Sequence, residues 1–392
     1  MKSLAALALA ASVVALPAEP KGQTISVPIR YNRNAVRPSA SDALATAANK
    51  YAGAAGGLWS NGDGSGTVIT KPTNSVDRAY ITEVEIGTPA QKLFLDFDTG
   101  SSDLWVYTND TKAGIANGVT LYQPGDSSTA QRLSGETWKI YYGDGTSANG
   151  VVYSDVVSIG GLAVQNQAVE SVISADSFGM SGLLGLAYDV GNTVKPDQQK
   201  TWFSNIKDSL KAPVFTVRLR HQADGSFDFG YINSSLYTGD IVYAPAFTDK
   251  LGHRLFAVDG YSVGGGSVVQ TGFNATADTG TSLLIVSNDV AKDYWSQVSG
   301  SSSQDDGNGG LIFFYPCASL QNLPDFTLSV NGNTVTVPGS FNTYQRGTSG
   351  SCEGGIVGGG AGGMAILGDV FLKAIFTVFD DGNNQVGFAL GQ

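Results

Sequence analysis

Two copies of one short sequence motif constrain the fold of this chain more than any other feature. The sequence reads DTGSS at Asp98–Ser102 and DTGTS at Asp278–Ser282, so the two aspartates are 180 residues apart. Each copy follows residues suited to a buried strand, and a glycine two positions after the aspartate permits a tight turn that a Cβ would obstruct. The backbone N–H groups and hydroxyls of such a turn can hold a carboxylate. The repeat therefore predicts two acids presented by two similar turns.

A second repeated segment indicates that each acid belongs to one half of a duplicated β unit. Two apolar residues precede a glycine at Leu183–Gly185, with the glycine 87 residues after Asp98, and again at Ile366–Gly368, 90 residues after Asp278. Near-equal spacing of this kind is typical of internal duplication. We therefore expect an N-terminal lobe over residues 71–240 and a C-terminal lobe over residues 241–392.

The composition is that of an all-β protein. Of the 392 residues, 51 are glycine and only 15% are charged. Val, Thr, Ser and Tyr recur in short runs between turn signals, as they do in strands. Few helices are predicted, and the better candidates are Lys200–Lys211 and Ser287–Val298. The small, polar residues of Ser299–Gly310 predict a mobile surface loop.

The N-terminal region predicts a secreted precursor. Residues 4–16 form an apolar stretch of 13 behind Lys2, which is too short to span a bilayer and is typical of a secretion signal. We expect a signal peptide over residues 1–18 and a pro-segment over 19–70, with a strand-like stretch at Ile25–Ile29. The protein is then extracellular, and no other segment predicts a membrane span.

Secretion also bears on the cysteines and on three asparagines. Cys317 and Cys352 are the only cysteines, and an even number in an oxidising compartment favours one disulfide. Two free buried thiols are the alternative. Asn-x-Ser/Thr sequences, the acceptors of N-linked glycans, occur at Asn109, Asn233 and Asn274. Asn274 is so near the second aspartate in sequence that we expect it to be buried and to carry no glycan.

Charge is distributed unevenly along the chain. Residues 1–70 contain 6 basic and 3 acidic side chains, whereas residues 71–392 contain 17 basic and 31 acidic ones. A field of this sign excludes binding to the phosphates of nucleic acid. The basic leader fits a pro-segment that docks on the acidic body by charge attraction and is released when carboxylates are protonated.

Three longer motifs resemble those of the pepsin-type aspartic proteases, specifically the secreted fungal members. They are LDFDTGSSDLWV at Leu95–Val106, YYGDGT at Tyr141–Thr146 and ILGDVF at Ile366–Phe371, and the resemblance extends roughly over residues 75–392. It implies a bilobal fold with two pseudo-twofold-related β lobes. It also implies an acid endopeptidase that is made as a zymogen and activates water between Asp98 and Asp278.

The resemblance further implies that the enzyme needs no cofactor, no metal and no covalent intermediate. Its partners are then protein and peptide substrates with large hydrophobic residues around the scissile bond, its own propeptide and pepstatin-type inhibitors, and it is a monomer. Asp144, near the tip of the flap, would admit a Lys at the P1 position into a pocket otherwise suited to large apolar side chains. The other residues with implied roles are the supports of the catalytic turns (Thr99, Gly100, Ser101, Thr279, Gly280, Thr281), the flap and its contact (Tyr142, Gly143, Trp105) and an inhibitory pair of the pro-segment (Lys50, Tyr51).

Other functions have weaker support. His221 and His253 are the only histidines and lie in no recognisable triad or metal-ligand spacing. The glycine pattern of Gly358–Gly363 matches a dinucleotide fingerprint but leads into an apolar strand, so the phosphate-binding helix is missing. A glycosidase also needs two acids, although not two matching turns. A pepsin-like binding protein without activity is the remaining alternative.

Overall fold

A computed structural model describes residues 25–31, 79–112, 114–115, 118–142, 146–347, 350–359 and 364–392. Within these residues the chain forms 25 strands and three short α-helices, which confirms the predicted all-β class. The first half contributes one sheet, made of β2 (Tyr80–Ile86), β3 (Gln91–Asp98), β4 (Leu104–Val106), β5 (Gln131–Tyr141), β6 (Ser147–Ile159), β7 (Leu162–Ala175) and β8 (Gly182–Gly185).

The second half contributes a corresponding sheet and a smaller one. The larger contains β12 (Arg254–Val258), β14 (Phe273–Ala277), β15 (Leu284–Val286), β16 (Ser302–Asp305), β17 (Leu311–Pro316), β20 (Thr343–Arg346), β21 (Ser351–Gly354), β22 (Ile356–Gly358) and β23 (Met364–Leu367). The smaller is three-stranded and contains β13 (Gly260–Val263), β18 (Phe326–Val330) and β19 (Asn333–Val337).

Strands from both halves form a six-stranded antiparallel arrangement. Its order is β1 (Ile25–Tyr31), β10 (Ala223–Phe229), β9 (Val214–Arg220), β24 (Ile375–Asp380), β25 (Gln385–Gly391) and β11 (Tyr237–Thr248). The strand predicted within the pro-segment is confirmed, because β1 pairs with β10 from Ile25↔Phe229 to Ile29↔Gly225. Residue 240, where we placed the boundary between the lobes, lies inside β11.

The duplication read from the sequence is visible in the strand pairing around the two motifs. β3 runs parallel to β8, with Asp98 opposite Gly185, and β14 runs parallel to β23, with Ala277 opposite Leu367. Next to them, β4 pairs antiparallel with β8 and parallel with β7. In the same way, β15 pairs antiparallel with β23 and parallel with β22. Each aspartate is therefore delivered by the same local arrangement of strands.

The helices are short, and two of them begin at a capping side chain. α1 (Trp202–Ile206) is continued only by a 3₁₀ turn at Lys207–Ser209, so the helix predicted over Lys200–Lys211 is shorter than expected. α2 (Asn288–Ser296) is capped by Ser287, whose Oγ accepts a hydrogen bond from the Val290 N–H. α3 (Asp369–Leu372) directly follows Gly368.

One loop prediction is wrong. Within Ser299–Gly310, residues Ser302–Asp305 form β16, which pairs antiparallel with β17. All four residues of β16 are exposed, so this strand is held by backbone hydrogen bonds and lacks the apolar alternation that would have revealed it.

The disulfide prediction is confirmed. Cys317 and Cys352 are joined in a disulfide, and no free cysteine occurs among the described residues.

Candidate active site

Asp98 and Asp278 have equivalent hydrogen bonds in equivalent turns. Asp98 ends β3 and Asp278 follows β14, and both are almost completely buried. The Gly100 N–H donates to Asp98 Oδ1 at 2.8 Å, and the Gly280 N–H donates to Asp278 Oδ1 at 3.0 Å. The other carboxyl oxygens accept from hydroxyls, that of Asp98 from Ser101 and that of Asp278 from Thr281, each at 2.5 Å. These bonds hold each carboxyl group in a single orientation.

Two threonines join the turns to each other. The Thr99 N–H donates to Thr279 Oγ1 at 3.0 Å, and the Thr279 N–H donates to Thr99 Oγ1 at 3.1 Å. Each hydroxyl then donates across to the opposite strand, that of Thr99 to the Ala277 carbonyl at 2.8 Å and that of Thr279 to the Phe97 carbonyl at 2.5 Å. Thr99 and Thr279, named above as supports of the turns, thus cross-link the two turns through their hydroxyls.

Three glycines allow the strands and the two turns to pack against one another more closely than a Cβ would permit. A Cβ on Gly280 would stand 2.5 Å from Asp98 Oδ1, so the first carboxyl group lies against the second turn. A Cβ on Gly185 would stand 2.6 Å from the Ser101 carbonyl oxygen, and one on Gly368 would stand 2.2 Å from that of Thr281. The glycines of the two repeated apolar segments therefore pack directly behind the two turns.

The base of the predicted flap lies against the first motif. Trp105 Nε1 donates to the Tyr142 hydroxyl oxygen at 2.6 Å, and both side chains are buried. The ring of Phe178 is 5.0 Å from that of Trp105 and 5.5 Å from that of Tyr142. Burial raises the pKa of the Tyr142 hydroxyl well above its usual range, and the negative charge of Asp98 adds to this rise. Tyr142 is thus a neutral hydrogen-bonding group near the acid.

Sequence reasoning missed a second pair of buried acids behind Trp105. Asp103 and Glu170 are at most 1% exposed, and Asn192 Nδ2 donates to one oxygen of each at 2.9 Å. Burial raises the pKa of Asp103 to about 6, although the Thr193 N–H and neighbouring groups oppose the rise. Burial, and then the negative charge of Asp103, raise the pKa of Glu170 well above its usual range. No motif could have revealed this pair, because Glu170 is opposite Trp105 only through the pairing of β7 with β4.

Several predicted residues lie elsewhere. Lys50, Tyr51, Gly143 and Asp144 lie outside the described residues. Asn109 is exposed, and Asn233 is partly exposed with its Oδ1 accepting from the Ser235 N–H at 3.1 Å.

The expected burial of Asn274 is wrong, since its side chain is exposed. It stands near the start of β14, and a four-residue separation from Asp278 in a strand corresponds to about 13 Å. Proximity in sequence therefore did not bring it into the site.

No group of three His, Cys, Asp or Glu side chains is placed in the described part of the chain to hold a metal ion. None of its helices has the length and apolar character that a bilayer crossing requires. The glycine pattern of Gly358–Gly363 begins at the end of β22 and is followed by β23.

Comparison with known proteins agrees with the geometry of the two turns. The family described as eukaryotic aspartyl protease matches residues 79–391. The chain is 47% identical to endothiapepsin of Cryphonectria parasitica over 334 residues, which cover 83% of this chain and 78% of that protein. It is 45% identical to penicillopepsin-1 of Penicillium janthinellum over 331 residues, covering 83% and 98%. It is 41% identical to aspergillopepsin-1 of Aspergillus pseudoglaucus over 394 residues, covering 98% of both.

The chain therefore belongs to the eukaryotic aspartyl protease family. Its activity is that of an aspartic-type endopeptidase of the fungal pepsin-like type, and its substrates are peptides.

Proposed function

We propose that Asp98 and Asp278 are the catalytic pair of a secreted acid endopeptidase that is made as a zymogen. The observation that carries this proposal is the equivalence of the two turns, in which each carboxyl group accepts one backbone N–H and one hydroxyl. Acids with only a structural role would not require the same pair of hydrogen-bond donors in both turns. The contact of Gly280 with the Asp98 carboxyl group supports a joint role for the two turns.

Two buried carboxyl groups on adjoining turns cannot both ionise cheaply, so they share a proton, and the paired aspartates of this protease family are the standard example of such sharing. The ionised member takes a proton from a water molecule, which attacks the scissile carbonyl carbon. The protonated member donates to the carbonyl oxygen and stabilises the tetrahedral intermediate. The two acids exchange these roles when the intermediate collapses.

The flap supports a preference for large hydrophobic side chains around the scissile bond. Buried Tyr142 and Trp105 and half-buried Phe178 form an aromatic cluster at its base. A closed flap excludes water from the dyad and strengthens its electrostatic interactions. We further propose that Asp144 admits a Lys at P1. Equal changes in Lys-P1 and Phe-P1 cleavage in Asp144→Ala would contradict this part of the proposal.

The zymogen proposal is supported by β1, which belongs to the predicted pro-segment over 19–70 and pairs with β10 and β2. Lys50 would place its ammonium group between the two acids, with Tyr51 beside it, and so block the cleft. The protein would be secreted as a monomer and inhibited by pepstatin-type compounds. N-terminal sequencing before and after acidification checks the processing, and retention of the pro-segment at pH 3 would contradict it.

The central proposal is tested with acid-processed wild-type protein and the variants Asp98→Asn and Asp278→Asn. We expect the wild type to cleave haemoglobin in a pepstatin-sensitive manner. Each variant should lose turnover by on the order of 10⁴-fold, because residues that act as a unit fail together. Asp240→Asn, an exposed position on β11, is the matched control and should retain activity. Wild-type turnover in either dyad variant would overturn the proposal, as would a wild type that binds peptide without cleaving it.

A further inference from the structure

Arg254 is a buried cation that reaches from the second half of the chain toward the first catalytic turn. It opens β12 and is only 2% exposed. Its Nε and Nη2 donate to Asp381 Oδ1 at 3.3 and 3.1 Å, and its Nη1 donates to the Leu186 carbonyl oxygen. The guanidinium lies 4.3 Å from the centre of the Tyr188 ring. Three of its donors are therefore aimed by fixed partners.

The backbone of Leu186 links this guanidinium to Asp98. The Leu186 N–H donates to the Asp98 carbonyl oxygen at 2.7 Å. Leu186 directly follows Gly185, the residue that is paired with Asp98 between β3 and β8. One hydrogen bond thus joins Arg254 to Leu186, and a second joins Leu186 to the backbone of Asp98. The Leu186 carbonyl and the Leu186 N–H belong to successive peptide units that share the Leu186 Cα, so the first bond restrains the second through the backbone of Leu186.

Asp381 is shared by two cations from different halves of the molecule. Lys207 Nζ lies 3.0 Å from Asp381 Oδ2, and the Asp381 side chain is only 5% exposed. A buried ion pair is weak evidence for stability, because well-packed apolar residues often serve equally well. The guanidinium of Arg254 has an effect that an apolar side chain cannot have. It directs an N–H donor at the Leu186 carbonyl while the Asp381 carboxylate holds the guanidinium in place.

We propose that Arg254 is a positioning residue for Asp98. Its guanidinium fixes the Leu186 carbonyl from the opposite half of the chain, and through the backbone of Leu186 it fixes the backbone from which the Asp98 carboxyl group projects. Asp381 orients the guanidinium, and Lys207 binds the other oxygen of the same carboxylate. The inference rests on the proposed catalytic role of Asp98.

The test compares kcat and KM of Arg254→Met with those of the wild type on a chromogenic peptide. The variant removes the donor to Leu186, while Lys207 still pairs with Asp381, so no buried charge is left alone. We expect kcat to fall about tenfold with KM within about twofold, the pattern of an interaction needed only in the transition state. Lys207→Met is the matched control, because it removes the other cation without touching Leu186, and its kcat should remain within about twofold of the wild type.

An Arg254→Met enzyme with wild-type kcat would overturn the inference, even if its melting temperature had fallen. Should that variant not accumulate as folded protein, Asp381→Asn serves in its place, since it keeps the guanidinium but weakens the group that orients it. A fall in kcat of about threefold at unchanged KM is then expected, and an unchanged kcat would overturn the inference. Full activity of Asp98→Asn would instead refute the proposed function, whatever the Arg254 variants show.

Discussion

Gly280 lies directly against the carboxyl group of Asp98. A Cβ at position 280 would stand 2.5 Å from Asp98 Oδ1 and 2.6 Å from its Cγ. Separations below 3.0 Å are essentially never observed for real Cβ atoms, so any side chain at position 280 must displace the acid or the turn. The glycine of the second motif is therefore required by the aspartate of the first as well as by its own turn.

Gly280→Ala should consequently impair catalysis more than folding. We expect kcat to fall by about 100-fold, because a shift of about 1 Å at a reacting group costs this much. Kinetics on a chromogenic peptide measure the effect. Gly125→Ala is the matched control, since a Cβ there would meet no atom within 4 Å. Equal kcat values in the two variants would show that Asp98 tolerates the added methyl group.

Thr279→Val should destabilise the junction of the two turns. The substitution removes the hydroxyl that accepts from the Thr99 N–H and donates to the Phe97 carbonyl, and leaves both buried groups without that partner. An orphaned buried group costs about 1–3 kcal/mol. Urea unfolding measures the loss. The same change at Thr336, a partly exposed residue of β19, should cost less than about 0.5 kcal/mol.

The buried acids behind Trp105 should make the protein less stable as the pH rises. A carboxyl group whose pKa is raised in the folded state contributes stability that is fully present below its unfolded pKa and is lost as the pH rises through its folded pKa. For Asp103 this window runs from 3.8 to about 6, and the corresponding loss is on the order of 3 kcal/mol. Glu170 extends the same trend to higher pH.

Glu170→Gln should flatten this dependence, because an amide mimics the protonated acid and cannot ionise. Melting temperatures at pH 4 and pH 7 should differ less in the variant than in the wild type. Glu85→Gln, on a side chain that is 39% exposed, should leave the wild-type difference intact. An identical pH dependence in Glu170→Gln and the wild type would exclude Glu170 as the source.

Tyr142→Phe should weaken flap function without disrupting the aromatic cluster. The ring is retained, but buried Trp105 Nε1 loses the hydroxyl oxygen to which it donates. We expect kcat/KM to fall about tenfold, which corresponds to 1.4 kcal/mol and lies within the cost of an unsatisfied buried donor. Steady-state kinetics test this. Tyr141→Phe alters a neighbouring ring that is 65% exposed, and a comparable fall there would show that the hydrogen bond to Trp105 is not the cause.

The sequence could predict those parts of the site that are formed by residues close together in the chain. The strand, aspartate and glycine of each turn are consecutive, so the cradles around Asp98 and Asp278 follow from residues close in sequence. The contact of Gly280 with Asp98 and the reach of Arg254 to Leu186 join residues 182 and 68 positions apart. Such contacts are created by the packing of the halves, and no spacing in the sequence records them.

The errors have the same origin. Asn274 was expected to be buried from its distance in sequence, whereas the direction of β14 takes it to the surface. The strand Ser302–Asp305 has four exposed residues, so its pairing with β17 left no hydrophobic pattern. In both cases the outcome depended on a neighbouring strand and not on the segment itself.

Under the proposed zymogen mechanism, the pairing of β1 means that removal of the pro-segment changes a sheet as well as uncovering the cleft. Five successive residues of this strand, Ile25 to Ile29, are paired with β10. Cleavage of the pro-segment and departure of β1 would leave one edge of β10 with open backbone donors and acceptors, which is a template for unwanted strand addition between molecules. An enzyme activated in this way would have to pair that edge with another segment or expose it to water.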